Sequence, residues 1–363
     1  MHIEQVQCHL LRLPLSRPVL SSGKGESEGE HLALLIVQLR TNNGPEGLGF
    51  AWTHRVGGRA LHALAVDDLA HLFLNENPLD HERLSAKASN HFQELGRRSL
   101  VARAYAAFDI ALWDIKAKTA GVSLHKLLGG ARPSVPAYAS DVGWRWMSPK
   151  QVVEAAQPYL KQGLTGIKVH VGRTEPEEDA QRLTYIREAL GEESWLGVDA
   201  DRRYDFATAL LMGEFLEEQG MDWFEEPIAA LDLPGISRLA AKLQVPLALG
   251  QSLETVAEFL PFLKRGLGEV MQPSVMQLGG ITGWLKAATL AELHHRHVVP
   301  AGLPEVTVQL GCGVQPVRMI PFNGWLTPLF EEPLRIEKGQ ILPPEGPGLG
   351  LTLRAEALVQ FKS

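Results

Sequence analysis

Apolar and polar residues follow different periods in the two parts of this chain. From His31 to Arg40 the run HLALLIVQLR predicts a buried strand, and the Asn-Asn-Gly-Pro turn after it predicts a return into a second strand. Apolar residues spaced three and four apart between Ser99 and Gly121 predict a long amphipathic helix. The N-terminal part is therefore expected to combine a small antiparallel sheet with helices.

After Gly129 and Gly130 the pattern changes to short apolar strands, each followed by a longer amphipathic stretch. Strands are predicted to begin at Val135, Thr165, Trp195, Asp222, Pro246, Glu269 and Val298, with a further one near Met319–Phe322. Positions near six strand ends lie 23 to 29 residues apart: His170, Asp199, Glu225, Gln251, Ser274 and Ala301. One strand plus one helix has this length, so the pattern predicts an α/β fold with a modified (β/α)8, TIM-like barrel.

The length of 363 residues favours two domains, because a single core commonly serves about 150 residues. The last thirty or so residues are rich in turns and lack helical periodicity. They are expected to leave the barrel and pack on the N-terminal part. The predicted division is an α+β capping domain, 1–125 completed by 335–363, on a barrel domain, 126–334.

Composition narrows the class of ligand. The formal net charge is −7 and no dense run of Lys and Arg occurs, which argues against binding to nucleic acid. Two cysteines exclude a disulfide framework and favour a reducing compartment. Neither a signal peptide nor an apolar run long enough to cross a membrane is evident. A cytoplasmic protein that binds a small molecule is expected.

Strand ends carry the candidate chemistry, since active sites of such barrels lie at the carboxyl ends of the strands. In Gly-Ile-Lys-Val-His, alternation turns Lys168 and His170 toward the barrel interior. The same alternation turns Asp199, Asp201 and Glu225 inward on the next two strands. Neighbouring carboxylates repel unless a cation or protons neutralise them, and oxygen ligands of this kind suit Mg²⁺.

These strands and their flanking motifs resemble the mandelate racemase/muconate lactonizing branch of the enolase superfamily. The stretch GIKVH resembles the Lys-x-Lys strand of that family, VDAD its Asp-x-Asn strand, and WFEEP its next strand. The segments MQPSVMQLGGITGWLKAATLAE, ALWDIKAKTAGVSLHKLLGG and PPEGPGLGL are similar to its sixth barrel unit, domain junction and C-terminal segment.

The resemblance implies a Mg²⁺-dependent enzyme that removes the proton next to a carboxylate. It implies that Asp199 and Glu225 are metal ligands and that Lys168 and His170 are the base and its modulator. Glu305 stands near the seventh strand, where the resemblance implies a carboxylic acid that hydrogen-bonds the developing charge.

Three positions depart from the family pattern. Gln251 replaces the acidic third ligand, so weaker Mg²⁺ binding is expected unless Asp201 restores the charge. Ser274 and Ala301 replace an Asp–His pair on the opposite wall, which leaves a two-base racemisation without its second base. The departures favour a dehydratase or a single-face isomerase that acts on a small hydroxy or sugar acid.

Two loop residues are further candidates for substrate binding, and one alternative function stays open. Lys24 and His54 lie on the capping loops that close over substrate in similar proteins, and either is a candidate to grip a carboxylate. The alternative function is a barrel that binds a metabolite or a partner without this chemistry. A homo-oligomer is expected, as is common among similar proteins.

Overall fold

A three-stranded antiparallel sheet begins the chain in the computed structural model, which describes residues 1–17, 19, 31–54 and 56–363. Its strands are β1 (Ile3–Pro14), β2 (His31–Thr41) and β3 (Gly47–Thr53), in that order across the sheet. Gly49 lets the long helix Ser99–Thr119 lie directly on β3, because a Cβ there would stand only 1.8 Å from the carbonyl oxygen of Ala107. The predicted strands and the long helix are confirmed.

The helices that follow the sheet cover one of its faces. They are α1 (Gly58–Ala63), a π-helical turn (Leu64–Leu69), α2 (Ala70–Phe73), α3 (His81–His91), α4 (Ser99–Thr119) and α5 (Leu124–Leu127). Fourteen of the 21 residues of α4 are buried, among them Asp109. Asp109 accepts hydrogen bonds from the backbone N–H and the hydroxyl of Thr282, 2.9 and 2.6 Å away, and so fastens α4 to the second part of the chain.

The second part is a ring of parallel strands. These are β4 (Val135–Gly143), β5 (Gly166–His170), β6 (Trp195–Asp199), β7 (Trp223–Glu225), β8 (Leu247–Leu249), β9 (Val270–Met271), β10 (His297–Val298) and β11 (Ile320–Phe322). Strands β4 to β10 pair in sequence order, and β11 returns to pair with β4. A bridge between Val298 and Val317 joins β10 to the segment before β11. The predicted strands and barrel architecture are confirmed.

Amphipathic helices connect these strands and pack outside them. They are α6 (Pro149–Lys161), α7 (Pro176–Leu190), α8 (Phe206–Glu218), α9 (Leu233–Ala240), α10 (Val256–Lys264), α11 (Ile281–Leu293) and α12 (Pro304–Gly313). A Ser148 capping box begins α6, and the Asp205 carboxylate caps α8 by accepting from Thr208 N–H. A short 3₁₀ turn (Thr327–Leu329) follows β11.

Strand register sets the chemistry of the barrel mouth. His170 pairs with Asp199, and Asp199 pairs in turn with Glu225, so the last residues of β5, β6 and β7 stand side by side. Because parallel strands keep this order at their carboxyl ends, three polar side chains far apart in sequence meet at one edge.

The C-terminal segment makes contacts with both parts of the protein. Strands β12 (Arg335–Glu337) and β13 (Gln340–Leu342) form a hairpin whose second strand pairs with β4 of the barrel. Further on, Gly348 bridges to Ser123 and Lys362 bridges to Leu11, and a last helix, α13, spans Ala357–Gln360. The expected return to the N-terminal part thus occurs after the hairpin, and the domain limits stated above stay a prediction.

Among the described residues, no helix is both long enough and apolar enough to cross a membrane.

Candidate active site

A cavity of about 320 Å³ opens at the carboxyl ends of the barrel strands. Side chains from β5, β6 and the loops after β8 and β10 form one side of it. Residues of β3, of the β4–α6 connection and of the segment after β11 form the other. The polar lining residues are Ser140, Arg145, Lys168, His170, Asp199, Asp201, Gln251, Gln272 and Asn323. The cavity therefore collects most of the residues that the sequence singled out.

Lys168 joins the two buried carboxylates at the floor of the site. Its Nζ lies 2.8 Å from Asp199 Oδ2 and 2.9 Å from Glu225 Oε1. All three side chains are nearly inaccessible to solvent. A buried ammonium between two carboxylates offsets part of their mutual repulsion, and the net charge of the trio remains −1 when both acids are ionised.

Burial and mutual charge shift the pKa values of these groups in opposite directions. Burial and the charge of Asp199 raise the pKa of Glu225 to about 8, against the pull of Lys168. Burial opposes ionisation of Asp199 as well, but Lys168 and His170 outweigh it and hold the pKa of Asp199 below its usual range. Burial lowers the pKa of Lys168, yet Asp199 and Glu225 more than compensate and raise it.

His170 lines the cavity beside this cluster. Its Nδ1 lies 3.3 Å from Asp199 Oδ2, and its Nε2 is buried without a hydrogen-bond partner in the described structure. Burial, aided by the charges of Lys168 and Arg145, lowers the pKa of His170 to about 4 against the opposing charge of Asp199. The ring is therefore neutral near pH 7, and a proton on Nδ1, facing Asp199, leaves the lone pair on Nε2.

A buried arginine holds the backbone around His170. The guanidinium of Arg182 donates to the carbonyl oxygens of His170 at 2.8 Å, Trp144 at 2.8 Å, and Gly143 and Met147 at 3.1 Å. It thereby ties the end of β5 to the β4–α6 connection. The Trp144 indole stacks on the His170 ring, with centroids 4.5 Å apart. The orientation of the imidazole is thus set from two sides.

Oxygen donors suitable for a hard cation surround the acidic pair. Glu225 Oε2 and Gln272 Oε1 are buried and have no hydrogen-bond partner among the described residues, and Gln251 lines the cavity. The described residues contain no group of three His, Cys, Asp or Glu side chains placed to share a metal ion. Two carboxylates with neighbouring amides still form an all-oxygen set, and such a set fits Mg²⁺.

The three predicted substrate-binding residues have different surroundings. Asp201 lines the cavity, but its carboxylate faces Arg145 at 3.5 Å and Arg202 at 2.8 Å. His54 also lines it, and burial with the charge of Arg103 lowers the pKa of His54 to about 3. A neutral His54 cannot grip a carboxylate through charge. Lys24 lies outside the described residues.

Glu305 is not brought to the cavity. It lies in the first turn of α12, is 3% exposed, and is absent from the cavity lining. Burial raises its pKa to about 7, and its Oε2 has no hydrogen-bond partner in the described structure. The family resemblance implied the role of Glu305, but helix α12 begins at Pro304 and the Glu305 side chain is buried outside the cavity lining. Its role as an electrophile stays a prediction.

The two positions that hold an Asp–His pair in the family pattern carry little reactive chemistry in this protein. Ser274 and Ala301 bridge to each other, and Ala301 lines the cavity whereas Ser274 does not. The Ser274 hydroxyl instead accepts from the backbone N–H of Gln277 at 3.4 Å. Neither side chain supplies a base at this wall.

Comparison with known proteins decides the family. A model of the mandelate racemase/muconate lactonizing enzyme N-terminal domain matches residues 17–129, and an enolase C-terminal domain-like model matches residues 151–357. The L-talarate/galactarate dehydratase of Salmonella typhimurium is 36% identical over 98% of this chain and 90% of that protein. The chain belongs to the mandelate racemase/muconate lactonizing branch of the enolase superfamily.

Other members of this branch agree in sequence and structure. The 3,6-anhydro-alpha-L-galactonate cycloisomerase of Streptomyces coelicolor is 30% identical over 98% of each chain. A crystal structure of L-talarate dehydratase from Polaromonas sp. JS666, complexed with Mg and L-glucarate, superimposes with a TM-score of 0.90. It is 34% identical, and the match covers 99% of this chain and 97% of that one.

Several residues that line the cavity of this protein were not predicted from the sequence. Gln272 directly follows β9 and lies within hydrogen-bonding reach of Glu225. The sequence analysis took Ser274 as the residue at the end of this strand, and the choice of Gln272 would have identified a lining residue. Trp52, Arg145, Asn323 and Trp325 come from loops or from the other sheet. No periodicity marks them, because their position depends on how the loops meet over the barrel.

Proposed function

We propose that this protein is a Mg²⁺-dependent enzyme that removes the proton next to the carboxylate of a small hydroxy or sugar acid. Loss of water or a single-face isomerisation completes the reaction. The observation that carries the proposal is the placement of His170. The His170 side chain lines the cavity, its Nδ1 faces Asp199, and its Nε2 has no hydrogen-bond partner among the described residues.

His170 is the proposed base. A substrate carbon held at the cavity would transfer its proton to Nε2, and Asp199 would stabilise the resulting imidazolium through Nδ1–H. In a dehydration, the protonated ring then returns this proton to the departing hydroxyl on the neighbouring carbon. The products are water and an enol, which becomes a keto acid when its carbon takes up a proton from solvent and its hydroxyl releases one.

Asp199 and Glu225 would hold Mg²⁺, with amide oxygens of Gln251 and Gln272 as further donors. When bound, the ion supplies positive charge that stabilises the negative charge developing on the substrate carboxylate. Lys168 fixes both acidic side chains by its two ion pairs and adds a further positive charge beside the same carboxylate.

The wall opposite His170 supports one-sided chemistry. Ala301 is apolar, and Ser274 is turned away from the cavity, so neither serves as a second base there. The names of two relatives, a dehydratase and a cycloisomerase, agree with this outcome. A member of the branch with a single base is therefore proposed to eliminate or isomerise on one face.

The test is exchange of the α-proton in deuterium oxide. Purified protein with Mg²⁺ is incubated with a panel of hydroxy acids, and NMR follows loss of the α-proton signal and appearance of keto acid. We expect turnover that falls by a factor of about 10² to 10⁴ in His170→Asn. His71→Asn, in helix α2, serves as the matched control.

Two results would contradict the proposal. Unchanged turnover in His170→Asn would remove this histidine from the reaction. Binding of an acid in the presence of Mg²⁺ without any exchange or product, across the panel, would favour a barrel that binds a metabolite only.

A further inference from the structure

The cavity has an aromatic side as well as a polar side. We call Trp52, His54, Trp144 and Trp325 the aromatic wall; all four line the cavity. Ring centroids lie 4.2 Å apart for Trp52 and His54, 5.2 Å for His54 and Trp325, and 5.6 Å for Trp52 and Trp325. Trp144 is nearly parallel to Trp325, with 19° between the ring planes and 6.3 Å between centroids.

Three separate parts of the chain build the aromatic wall. Trp52 lies on β3 of the N-terminal sheet, Trp144 follows β4, and Trp325 follows β11. Arg103 supports it from behind by donating to the carbonyl oxygen of Trp52 at 3.0 Å, and Arg103 itself does not line the cavity. These rings, three pairs of them edge to face and one pair stacked, present an apolar surface to a ligand held beside His170.

The charges of the described lining residues suit a single carboxylate. Among the described lining residues, Lys168 and Arg145 are the permanent cations. Lys168 is held by Asp199 and Glu225, and Arg145 lies 3.5 Å from the carboxylate of Asp201. His54, on the aromatic wall, is neutral near pH 7 because burial lowers its pKa to about 3. The aromatic wall itself therefore provides no cation for a second carboxylate.

The size of the cavity limits what lies on this wall. At about 320 Å³ it stands at the lower end of the range of roughly 300–1,000 Å³ that ligand sites span. The Trp144–His170 stack, with centroids 4.5 Å apart, makes the aromatic wall continuous with the proposed base. A group attached to the reacting carbon of a substrate held beside His170 would therefore lie close to an aromatic surface.

We infer that the substrate is a monocarboxylate whose reacting carbon carries, or lies in, a six-membered ring that packs on the aromatic wall. Linear polyhydroxy diacids are the disfavoured class. The inference rests on the proposed function for the orientation of the carboxylate toward the polar side. It goes further because it assigns the part of the ligand away from the carboxylate to the aromatic wall.

The test compares four acids by calorimetry in the presence of Mg²⁺. The ring monoacids are glucopyranuronate and 2-cyclohexyl-2-hydroxyacetate, and the linear acids are gluconate and galactarate. We expect at least one ring monoacid to bind about tenfold or more tightly than either linear acid. Trp325→Ala should weaken binding of that ring acid by about tenfold and leave the linear acids nearly unchanged.

Variants separate stacking from loss of fold. Trp325→Phe keeps a ring and should restore most of the affinity for the ring acid. Trp113→Phe changes an indole that does not line the cavity and serves as the control. The melting temperature is measured for each variant, and the comparison of the four acids on the unaltered protein stands even if Trp325→Ala fails to fold.

The inference and the proposed function fail in different ways. Tighter binding of galactarate or gluconate than of both ring acids would overturn the inference, while α-proton exchange in that linear acid would uphold the proposed function. Ring acids that bind and lose affinity in Trp325→Ala, but never exchange their α-proton, would uphold the inference about the ligand and sink the proposed reaction. Equal binding of all four acids, unaffected by Trp325→Ala, would also overturn the inference.

Discussion

The indole of Trp144 lies parallel to the imidazole of His170, with 4.5 Å between ring centroids and 12° between planes. Trp144 follows β4 and His170 ends the adjacent strand β5, and the guanidinium of Arg182 donates to both of their carbonyl oxygens. An imidazole held by a stacked ring on one side and a carboxylate at Nδ1 has little freedom to turn. Its Nε2 is therefore held in one position.

Removal of this stack should slow proton transfer more than it weakens binding. In Trp144→Ala we expect kcat to fall by about ten- to hundredfold, because the His170 ring gains rotational freedom, with a smaller change in KM. Trp144→Phe retains a ring and should recover most of kcat. Steady-state kinetics with the acid found by the exchange assay makes the measurement. Equal kcat in Trp144→Ala and the unaltered protein would contradict the positioning role.

Addition of a third carboxylate should tighten the metal site. Gln251 lines the cavity near an acidic pair that Lys168 only partly neutralises. Gln251→Glu adds a negative charge there, and we expect Mg²⁺ to bind about tenfold or more tightly by calorimetry.

Asp199→Asn is the opposite control and should weaken Mg²⁺ binding strongly. If Gln251→Glu leaves the dissociation constant unchanged, Gln251 does not reach the ion. If Asp199→Asn also leaves it unchanged, the ion binds elsewhere.

Glu305 should make the protein less stable as the pH rises. Burial raises its folded-state pKa to about 7, above the ordinary value of 4.5. The folded state therefore holds the proton more tightly than the unfolded state, and the stability that this contributes is complete below pH 4.5 and lost as the pH rises through 7.

Glu305→Gln removes this titration. Relative to the unaltered protein, the variant should gain about 3 kcal/mol of unfolding free energy between pH 4 and pH 8, measured by urea denaturation. Glu332→Gln, at an exposed position, serves as the control. Turnover of Glu305→Gln should remain near that of the unaltered protein, and a loss of more than tenfold would return Glu305 to the reaction.

Close contact between β3 and α4 should make Gly49 intolerant of any side chain. A Cβ at Gly49 would lie 1.8 Å from the carbonyl oxygen of Ala107 and 2.8 Å from the backbone nitrogen of Ala111. Because both neighbours are backbone atoms of one helix, that helix would have to move. We expect Gly49→Ala to cost about 3 kcal/mol in thermal or urea unfolding.

Gly324→Ala is the matched control, since its Cβ would meet the nearest atom at an ordinary 3.6 Å. A Gly49→Ala variant as stable as Gly324→Ala would show that α4 can shift without loss of packing.

The barrel and the polar residues at the ends of its strands could be predicted from the sequence. Repeated strand-plus-helix units predicted the ring, and alternation along β5 and β6 predicted that Lys168, His170 and Asp199 point to one interior. These features depend on local periodicity and on parallel register, and both are written in residue spacing. The family motifs, which extend over most of the chain, added the expectation of Mg²⁺.

Positions that depend on loops or on where a helix begins could not be predicted from the sequence. Glu305 stands four residues after Ala301, yet helix α12 begins at Pro304 and the Glu305 side chain is buried outside the cavity lining. Trp325 lines the cavity from a segment with no regular pattern, and Trp52 reaches it from the other sheet. Local spacing cannot predict such contacts, because the path of a loop depends on the surfaces that it meets.

The sequence by itself therefore determined the barrel, its order of strands, and the acidic and basic residues at the ends of β5, β6 and β7. Only the tertiary structure decided that Lys168 bridges Asp199 and Glu225, that Trp144 stacks on His170, and that an aromatic wall faces them. The physical reason is that strand register is set by repeated short-range pairing. The contents of a cavity depend instead on side chains that converge from distant segments and are held there by packing.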